Sequence, residues 1–286
     1  CDEISQTFRD LSKTLNLSNT DFIRTTEERH KKTVQHLWNE LEKNDDIYLS
    51  KYSGWYSVSD EAYYSDEEII EKENVKIAIS SGSSVEWIEE ESYFFRLSKW
   101  QDELLKYYEK NPDFISPKSR KNEVISFVKG GLKDLSISRK AFSWGIKVPN
   151  SQDHVIYVWL DALTNYISAL NYPDTNDELF KKFWPASVHL IGKDILRFHS
   201  VYWPAFLMAA KIPLPKKVYG HGWILSGDEK MSKSKGNILD PLDIIEIYGL
   251  DPLRYYLIKE VSFGNDGNIS QDRLEDCINS DLANNY

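Results

Sequence analysis

The stretch VHLIGKDILRFHSVYWPAFLMA, residues 188–209, decides the fold class of this chain. Residues 188–191 predict a buried strand that ends at Gly192. Residues 194–209 then predict a helix, which Pro204 is expected to kink because proline donates no backbone hydrogen bond. The stretch therefore predicts a strand that is followed at once by a helix.

The same order of elements continues on both sides of this stretch. Residues 154–159 alternate as a strand, and residues 218–225 predict another strand, interrupted by Gly220 and Gly222. A helix is predicted after the first of these strands, through Leu163, Tyr166, Ile167 and Leu170. Because strands and helices alternate, we expect an α/β fold with parallel strands and crossover helices. Ligands bind such sheets at the carboxyl ends of the strands.

The first half of the chain predicts two helices, a compact insert and a third helix. The first helix carries one apolar face, made by Ile4, Phe8, Leu11 and Leu15. Residues 22–26 predict a short strand, and Thr25 and Glu28 have the spacing of a capping box before the second helix. Residues 47–79 are rich in aromatic side chains and predict short strands and turns, and residues 97–109 predict the third helix.

Composition and charge exclude several classes of protein. The chain has 286 residues and a formal net charge of −10, which argues against a protein that coats nucleic acid indiscriminately. It has two cysteines, Cys1 and Cys277, and no CxxC pair, so a zinc knuckle and a disulfide framework are not expected and a cytoplasmic location fits. The longest apolar stretch, residues 203–210, is too short to span a membrane, and no leader sequence is recognised.

The sharpest motif is Lys230-Met231-Ser232-Lys233-Ser234. It follows a predicted strand and precedes a helix that is expected to start near Asp240 and Pro241. Lysines supply point charges, and serines and loop amides donate hydrogen bonds, so this pattern suits a polyphosphate whose charge rises in a transition state. For a generic lysine-rich pattern, a solvated surface loop is the alternative interpretation.

This pentad is the second signature of class I aminoacyl-tRNA synthetases, and further motifs narrow the resemblance. They are VWLDA (158–162), IGKDI (191–195), FHS (198–200), YWPA (202–205), HGW (221–223), ESYFFRLS (91–98), SRKNEV (119–124) and LSISR (135–139). In this order they resemble the methionyl-tRNA synthetase family over essentially the whole chain. The family's HIGH-type motif and its anticodon-binding domain are not found in this sequence. Residues 52–65 contain no cysteine where many members carry a zinc knuckle, which indicates the zinc-free form.

The resemblance implies a domain plan. It predicts a Rossmann-like parallel sheet, the second half of a class I synthetase catalytic core, with an inserted α+β connective domain and a C-terminal KMSKS-bearing segment. Residues 1–25 would end the first Rossmann half, and residues 26–147 would form the connective-peptide insert. Residues 148–220 would form the second Rossmann half, and residues 221–286 the KMSKS loop and stem-contact region.

The resemblance also assigns a methionine pocket of apolar and aromatic side chains with a few polar tips. Such a slot suits a thioether, because sulfur makes soft contacts with aromatic rings. Tyr166 and His199 are expected near the sulfur. The predicted pocket residues are Trp159, Ala162, Leu163, Tyr166, Ile195, Phe198, His199, Tyr202 and Trp203. The alternative is that aromatics at helical spacing are simply core, and for Phe198 and Leu163 the two interpretations are evenly balanced.

For the nucleotide, the resemblance makes Lys233 the principal catalytic lysine, assisted by Lys230. These lysines are expected to stabilise the pentacoordinate α-phosphate and the departing pyrophosphate. Asp194 is expected to accept from ribose hydroxyls or to cap a helix, and His221 could instead be a core histidine. The predicted ATP-binding residues are Gly192, Asp194, His221, Gly222, Trp223, Lys230, Met231, Ser232, Lys233 and Ser234.

The function implied is that of a methionine-tRNA ligase, which joins L-methionine to ATP and passes the methionyl group to tRNA(Met). ATP with Mg²⁺ is expected as cofactor, with no zinc or other protein-bound metal and no membrane partner. The basic residues between 118 and 140 could contact the tRNA acceptor stem. We expect the 286 residues alone to be inactive. The alternatives are a class I synthetase for another apolar amino acid, a non-catalytic tRNA-binding module, and an unrelated ATP-using transferase.

Overall fold

A computed structural model describes residues 1–60, 62–72, 75–140, 143–226, 229–231 and 239–285. Of residues 52, 62, 63, 90, 229 and 230 it describes the backbone only. The α-helices are α1 (Asp2–Thr14), α2 (Glu28–Lys43), α3 (Gln101–Lys110), α4 (Lys118–Lys129), α5 (Val158–Leu163), α6 (Asn165–Ser168), α7 (Glu178–Phe183), α8 (Trp203–Ala209), α9 (Pro241–Tyr248), α10 (Leu250–Glu260) and α11 (Gln271–Cys277). Short 3-10 turns lie at Asp66–Glu68, Leu97–Trp100 and Lys193–Ile195, and π-helical segments at Phe198–Tyr202 and Ile278–Ala283.

The strands form small sheets, some with parallel and some with antiparallel pairing. They are β1 (Ile47–Ser57), β2 (Ala62–Tyr64), β3 (Ile69–Lys72), β4 (Val75–Ala78), β5 (Glu86–Phe95), β6 (Ile115–Ser116), β7 (Leu135–Ser136), β8 (Ser138–Arg139), β9 (Val155–Ile156), β10 (His189–Gly192), β11 (Val218–His221), β12 (Ile224–Ser226), β13 (Glu229–Lys230) and β14 (Gly267–Asn268). Mixed α/β structure was predicted and is confirmed.

A three-stranded parallel sheet has the order β10-β11-β6, and two of its strands come from the second half of the chain. The register pairs Gly192 with His221, so these two residues end their strands side by side. The third strand, β6, comes from inside the predicted insert at 26–147. The boundaries of that insert stay a prediction, but the sheet crosses them.

The predicted buried strand at 188–191 is present but only one of its faces is covered. His189 and Ile191 are buried, whereas Leu190 is 59% exposed. A continuous apolar run had suggested burial on both faces. In a strand, successive side chains point to opposite faces, and the described residues cover only one face here.

Helical structure continues from Lys193 to Ala209 but changes type along the way. A 3-10 turn and a π-helical segment precede α8, which carries Pro204 in its first turn. Pro204 has no N–H to donate to the carbonyl of Ser200, four residues earlier. The buried hydroxyl of Tyr108 donates to that carbonyl instead, at 2.6 Å. The chain therefore accommodates the proline because α3 supplies the missing donor.

Three local predictions in the first half were wrong. Residues 22–26 form no strand, and the helix that follows begins at Glu28 with Glu27 as its N-cap, so Thr25 does not cap it. The aromatic-rich region begins with the 11-residue strand β1, which pairs antiparallel with β5, and not with short strands alone. The predicted helix α1 is present, with Ile4 and Phe8 of its apolar face exposed and Leu11 and Leu15 half-buried.

The predicted strand at 154–159 is mostly wrong as well. Only Val155–Ile156 forms a strand, and α5 begins at Val158 after the extended residue Tyr157. The amide of Tyr157 still bonds to the carbonyl of Ile137, whereas the amide of Leu160 already bonds back to Tyr157. Trp159 therefore lies on a helix and not on a strand.

Two apolar clusters hold these elements together. The larger surrounds Trp38, Phe95, Leu160 and Trp203, and packs α2, α5, α6 and α8 against the sheets. The smaller joins α10 and α11, and Met231 packs against it. Within the described part of the chain, no helix is long and apolar enough to cross a membrane.

Candidate active site

The carboxyl ends of β10 and β11 bring the first predicted site residues together. Gly192 and His221 are register partners, and Asp194 follows two residues after the end of β10. The Asp194 side chain turns back towards the strand, since a Cβ added at Gly192 would lie 2.6 Å from its Oδ1. Gly192 thus makes room for a carboxylate at the open edge of a parallel sheet.

The turn after β11 is held by the loop at 264–268. The Nδ1 atom of His221 donates to the carbonyl of Gly222 at 2.7 Å. A Cβ added at Gly222 would overlap the backbone carbonyl of Asn265, so only glycine allows this approach. The amide of Trp223 donates to Oδ1 of Asp266 at 2.8 Å.

The aromatic residues predicted for the methionine pocket meet one helical turn beyond Asp194. Phe198 and Trp159 stack face to face, with ring centres 3.6 Å apart and planes 8° apart. His199 lies edge-on to Trp159, at 6.4 Å between ring centres. Tyr166, from α6, places its hydroxyl oxygen 2.8 Å from Nε2 of His199.

The hydrogen bonds of His199 define which nitrogen carries the proton. Nδ1 lies 2.9 Å from the carbonyl of Ile195, which can only accept, so Nδ1 is the donor. In the neutral ring Nε2 is then the acceptor, and Tyr166 donates to it. Burial lowers the pKa of His199, which favours this neutral form. Burial likewise raises the pKa of Tyr166 to about 12.

The other predicted pocket residues lie around this pair at different depths. Tyr202 packs edge-on to Phe198, at 5.5 Å. Leu163 and Trp203 are fully buried in the larger apolar cluster. Ala162 and Ile195 are partly exposed. The structure thus brings six members of the predicted set into ring contact, namely Trp159, Tyr166, Phe198, His199, Tyr202 and Trp203.

His189 belongs to this site but was not predicted as a site residue. Its ring stacks on Tyr166, with centres 3.9 Å apart and planes 17° apart. Neither ring nitrogen has a hydrogen-bond partner among the described residues, and burial lowers the pKa to about 3. The alternation of side chains along β10 could have predicted that His189 faces inward. It could not have predicted that His189 contacts Tyr166.

A buried hydrogen-bonded chain fixes the helices that carry Trp159 and Tyr166. His30, on α2, places Nε2 2.7 Å from Asp161 and Nδ1 2.8 Å from the hydroxyl of Ser168. Nε2 is a donor because a carboxylate accepts. Asp161 lies on α5 and Ser168 on α6, so one histidine fastens both helices to α2.

The lysine pentad is only partly within the described residues. The backbone of Lys230 pairs with Leu225 across β13 and β12, and the Met231 side chain packs against the smaller apolar cluster. Ser232, Lys233 and Ser234 lie outside the described residues. The predicted helix start beyond them is confirmed, since Asp240 caps α9 by accepting from the amide of Leu242 at 2.8 Å.

A cavity of about 370 Å³ opens beside Asp194, between α4 and the turn after β10. Its lining includes Glu123, Lys193, Arg197 and Phe198. The described residues contain no group of three or more histidine, cysteine or acidic side chains that could hold a metal ion. The open space at the site is therefore lined by charged side chains of both signs.

Comparisons with known proteins agree on one family. Residues 1–286 match the family described as tRNA synthetases class I (M). The chain is 59% identical to the methionine-tRNA ligase of Rickettsia bellii over 283 residues, which are 99% of this chain and 55% of that protein. It is 57% identical to the corresponding ligase of Brucella suis, again over 99% of this chain and 55% of the relative. The chain thus spans about half the length of the curated relatives it matches.

A solved structure is similar over nearly the whole chain. The methionyl-tRNA synthetase of Mycobacterium tuberculosis, bound by methionyl-adenylate, is 51% identical, with a TM-score of 0.92 over 98% of this chain and 55% of that one. The free form of the same enzyme is 48% identical, with a TM-score of 0.87. The likeness therefore extends to the path of the backbone.

Proposed function

The chain belongs to the methionyl-tRNA synthetase family of class I, and from that membership we propose that the whole protein activates L-methionine with ATP and transfers it to tRNA(Met). One observation carries the proposal. The neutral Tyr166–His199 pair lies beside the Trp159–Phe198 stack, one helical turn from the carboxylate of Asp194. Aromatic side chains with two neutral polar groups, next to a carboxylate that can accept from ribose hydroxyls, suit a methionyl-adenylate.

The pocket chemistry explains a preference for an uncharged thioether. His199 donates from Nδ1 to the carbonyl of Ile195, and Tyr166 donates its proton to Nε2 of His199, so the two side chains satisfy each other and bring no charge to the pocket. A thioether needs no hydrogen-bond donor and makes favourable contacts with aromatic edges. The nine residues assigned to methionine are Trp159, Ala162, Leu163, Tyr166, Ile195, Phe198, His199, Tyr202 and Trp203.

The nucleotide would bind along the carboxyl ends of β10 and β11. Gly192, Gly222 and Trp223 offer backbone close to the sheet edge, Asp194 accepts from ribose hydroxyls, and His221 lies beside them. The pairing of Lys230 with Leu225 brings the start of the lysine pentad near this turn, which supports a phosphate role for the segment. Met231, Ser232, Lys233 and Ser234 complete the proposed set.

In the proposed reaction the methionine carboxylate attacks the α-phosphorus. A carboxylate–phosphorus bond forms, the bond to pyrophosphate breaks, and no general base is needed because the nucleophile is already an anion. Lys233, assisted by Lys230, would stabilise the charge that develops on the phosphates. Mg²⁺ would enter with ATP, and we assign it no protein ligand. A terminal ribose hydroxyl of tRNA then attacks the methionyl carbonyl carbon, an ester bond forms, the bond to the phosphate breaks, AMP leaves, and the hydroxyl proton passes to solvent.

The finer assignments follow the same family plan. The β10-β11-β6 sheet would be the second half of a Rossmann-like core, with residues 1–25, 26–147, 148–220 and 221–286 divided as predicted. The basic residues of α4, among them Lys118 and Lys121, support contact with the tRNA acceptor stem. The absence of cysteine from 52–65 supports the zinc-free form. A cytoplasmic location stays a prediction from cysteine usage.

Amino-acid-dependent ATP–pyrophosphate exchange by the whole protein tests the proposal. Exchange that requires methionine supports it, and exchange that requires leucine, valine or isoleucine assigns the protein to another specificity. Binding of tRNA without any exchange favours a non-catalytic module. The 286 residues alone are expected to show no exchange above background, and exchange by them would contradict that expectation.

A further inference from the structure

An ion pair joins two segments on either side of the proposed nucleotide turn. The Nζ atom of Lys193, directly after β10, lies 2.7 Å from Oδ2 of Asp266. The other carboxylate oxygen, Oδ1, accepts from the amide of Trp223 at 2.8 Å. Nζ of Lys193 also lies over the Trp223 ring, 4.2 Å from its centre. One carboxylate and one ammonium thus hold Trp223 through its backbone and its ring.

This pair differs from an ordinary surface salt bridge. The Lys193 side chain is 15% exposed and that of Asp266 35% exposed, whereas the Lys106–Glu103 pair on α3 is more than half exposed on both sides. Ion pairs that face water contribute little because solvent screens them. Partial burial and two further contacts make the Lys193–Asp266 pair a stronger geometric constraint.

The backbone around Asp266 is itself anchored to the turn. The amide of Gly267 donates to the carbonyl of Trp223, and the amide of Ile269 donates to that of Leu225, each at 2.9 Å. Strands β12 and β14 pair in parallel at the same place. These backbone hydrogen bonds therefore hold Asp266 in a fixed position next to Lys193.

We propose that Lys193 and Asp266 are positioning residues of the nucleotide site, which brace the turn at 221–223 against the turn that carries Asp194. The inference rests on the proposed function, since it assumes that these two turns bind ATP. The pair also occupies the Lys193 ammonium, so that it neither neutralises Asp194 nor binds phosphate. The hydrogen bonds from Lys193 and from the Trp223 amide lower the pKa of Asp266, which keeps the brace ionised at neutral pH.

A rival assignment makes the opposite prediction. If Lys193 were a phosphate ligand, Asp266→Asn would free its ammonium and ATP would bind as well or better. If the pair is a brace, Asp266→Asn and Lys193→Met both weaken ATP binding. The double variant should then bind ATP no more weakly than whichever single variant has the lower ATP affinity. Lys193→Arg keeps the charge and the ring contact and restores most of the affinity.

The experiment compares these variants in the whole protein. Equilibrium dialysis gives the ATP dissociation constant, and the kinetics of ATP–pyrophosphate exchange give KM for ATP and for methionine. Hydrogen–deuterium exchange gives the rate at which the Trp223 amide opens to solvent. We expect ATP binding about tenfold weaker in Asp266→Asn and Lys193→Met, with KM for methionine changed less than about twofold. Faster exchange of the Trp223 amide is expected in both. Lys106→Met and Glu103→Gln, at the exposed pair on α3, serve as matched controls.

Two results would overturn the brace. One is unchanged ATP affinity in both single variants, and the other is an equal loss for ATP and methionine, which indicates general disruption. If the wild type binds ATP but shows no methionine-dependent pyrophosphate exchange, the proposed amino acid specificity is wrong. The ATP dissociation constants of the variants still test the brace in that case.

Discussion

The hydroxyl oxygen of Tyr166 lies 2.8 Å from Nε2 of His199, and this hydrogen bond joins the helix α6 to the π-helical segment after β10. Because Nδ1 of His199 donates to Ile195, the Tyr166 hydroxyl is the donor. The two polar groups of the proposed pocket are thus aligned by the protein itself, without a charge on either.

Replacing Tyr166 by phenylalanine should weaken methionine binding without affecting ATP. The variant loses the hydrogen bond that aligns the His199 ring in the proposed pocket, and we assign this lost alignment about 1 kcal/mol or somewhat more of methionine binding. We therefore expect KM for methionine in pyrophosphate exchange to rise about fivefold to tenfold, with KM for ATP nearly constant. Tyr107→Phe, on α3, is the matched control, and equal effects in the two variants would contradict the assignment.

His189 predicts a specific dependence of stability on pH. Its pKa is lowered to about 3 by burial, whereas the unfolded chain binds this proton near pH 6.5. Between these two values the unfolded state holds one more proton than the native state, so acid favours unfolding by about 1.4 kcal/mol per pH unit for this group.

His189→Phe keeps an aromatic ring against Tyr166 and removes that proton site. The free energy of unfolding, measured by urea titration at several pH values, should fall less steeply below about pH 6.5 in the variant. Above about pH 7.5 the curves of wild type and variant should run parallel, which is the internal control. An unchanged slope between pH 6.5 and 5 would refute this role of His189.

Gly222 and Gly220 form a matched pair on one strand and its turn. A Cβ at Gly222 would overlap the backbone of Asn265, whereas a Cβ at Gly220 would meet its nearest atom, in Leu196, at an ordinary 3.6 Å. We expect Gly222→Ala to lower the free energy of unfolding by about 2 to 4 kcal/mol and Gly220→Ala by less than about 1 kcal/mol. Thermal or urea unfolding measures both, and a similar cost at the two positions would contradict the close approach.

The chain from Ser168 through His30 to Asp161 predicts an order of effects at Asp161. Asparagine can still accept from Nε2 of His30, so Asp161→Asn should cost about 1 kcal/mol of folding free energy. Alanine leaves that buried donor unpaired, and Asp161→Ala should cost about 3 kcal/mol. The alanine variant should also raise KM for methionine, because Trp159 lies on the same helical turn.

Exposed Asp153, replaced by alanine, controls for loss of a carboxylate near this helix. Urea unfolding gives the stabilities, and pyrophosphate exchange gives KM for methionine. An asparagine variant that is less stable than the alanine variant would show that the His30–Asp161 contact is not the hydrogen bond described here.

Local sequence signals predicted correctly those elements whose first or last residue is determined by residues close in the sequence. The helix that begins after Asp240 was predicted because a capping residue and a proline act within one turn. The strand at 154–159 was predicted wrongly because six alternating residues also fit a strand of two residues followed by a helix. The length of β1 was missed because its partner, β5, supplies the hydrogen bonds from a distant segment.

The motifs around residues 158–166, 191–205 and 221–223 determined the family and most of the residues of the proposed pocket. Periodicity and turn residues reflect interactions between residues that are close in the sequence, so they can be recognised from a single sequence. Only the tertiary structure decided that His189 stacks on Tyr166, that His30 reaches Asp161 over 131 residues, and that Asp266 holds Trp223 over 43. These contacts arise when separate elements pack, and packing geometry leaves no local pattern in the chain from which it could be predicted.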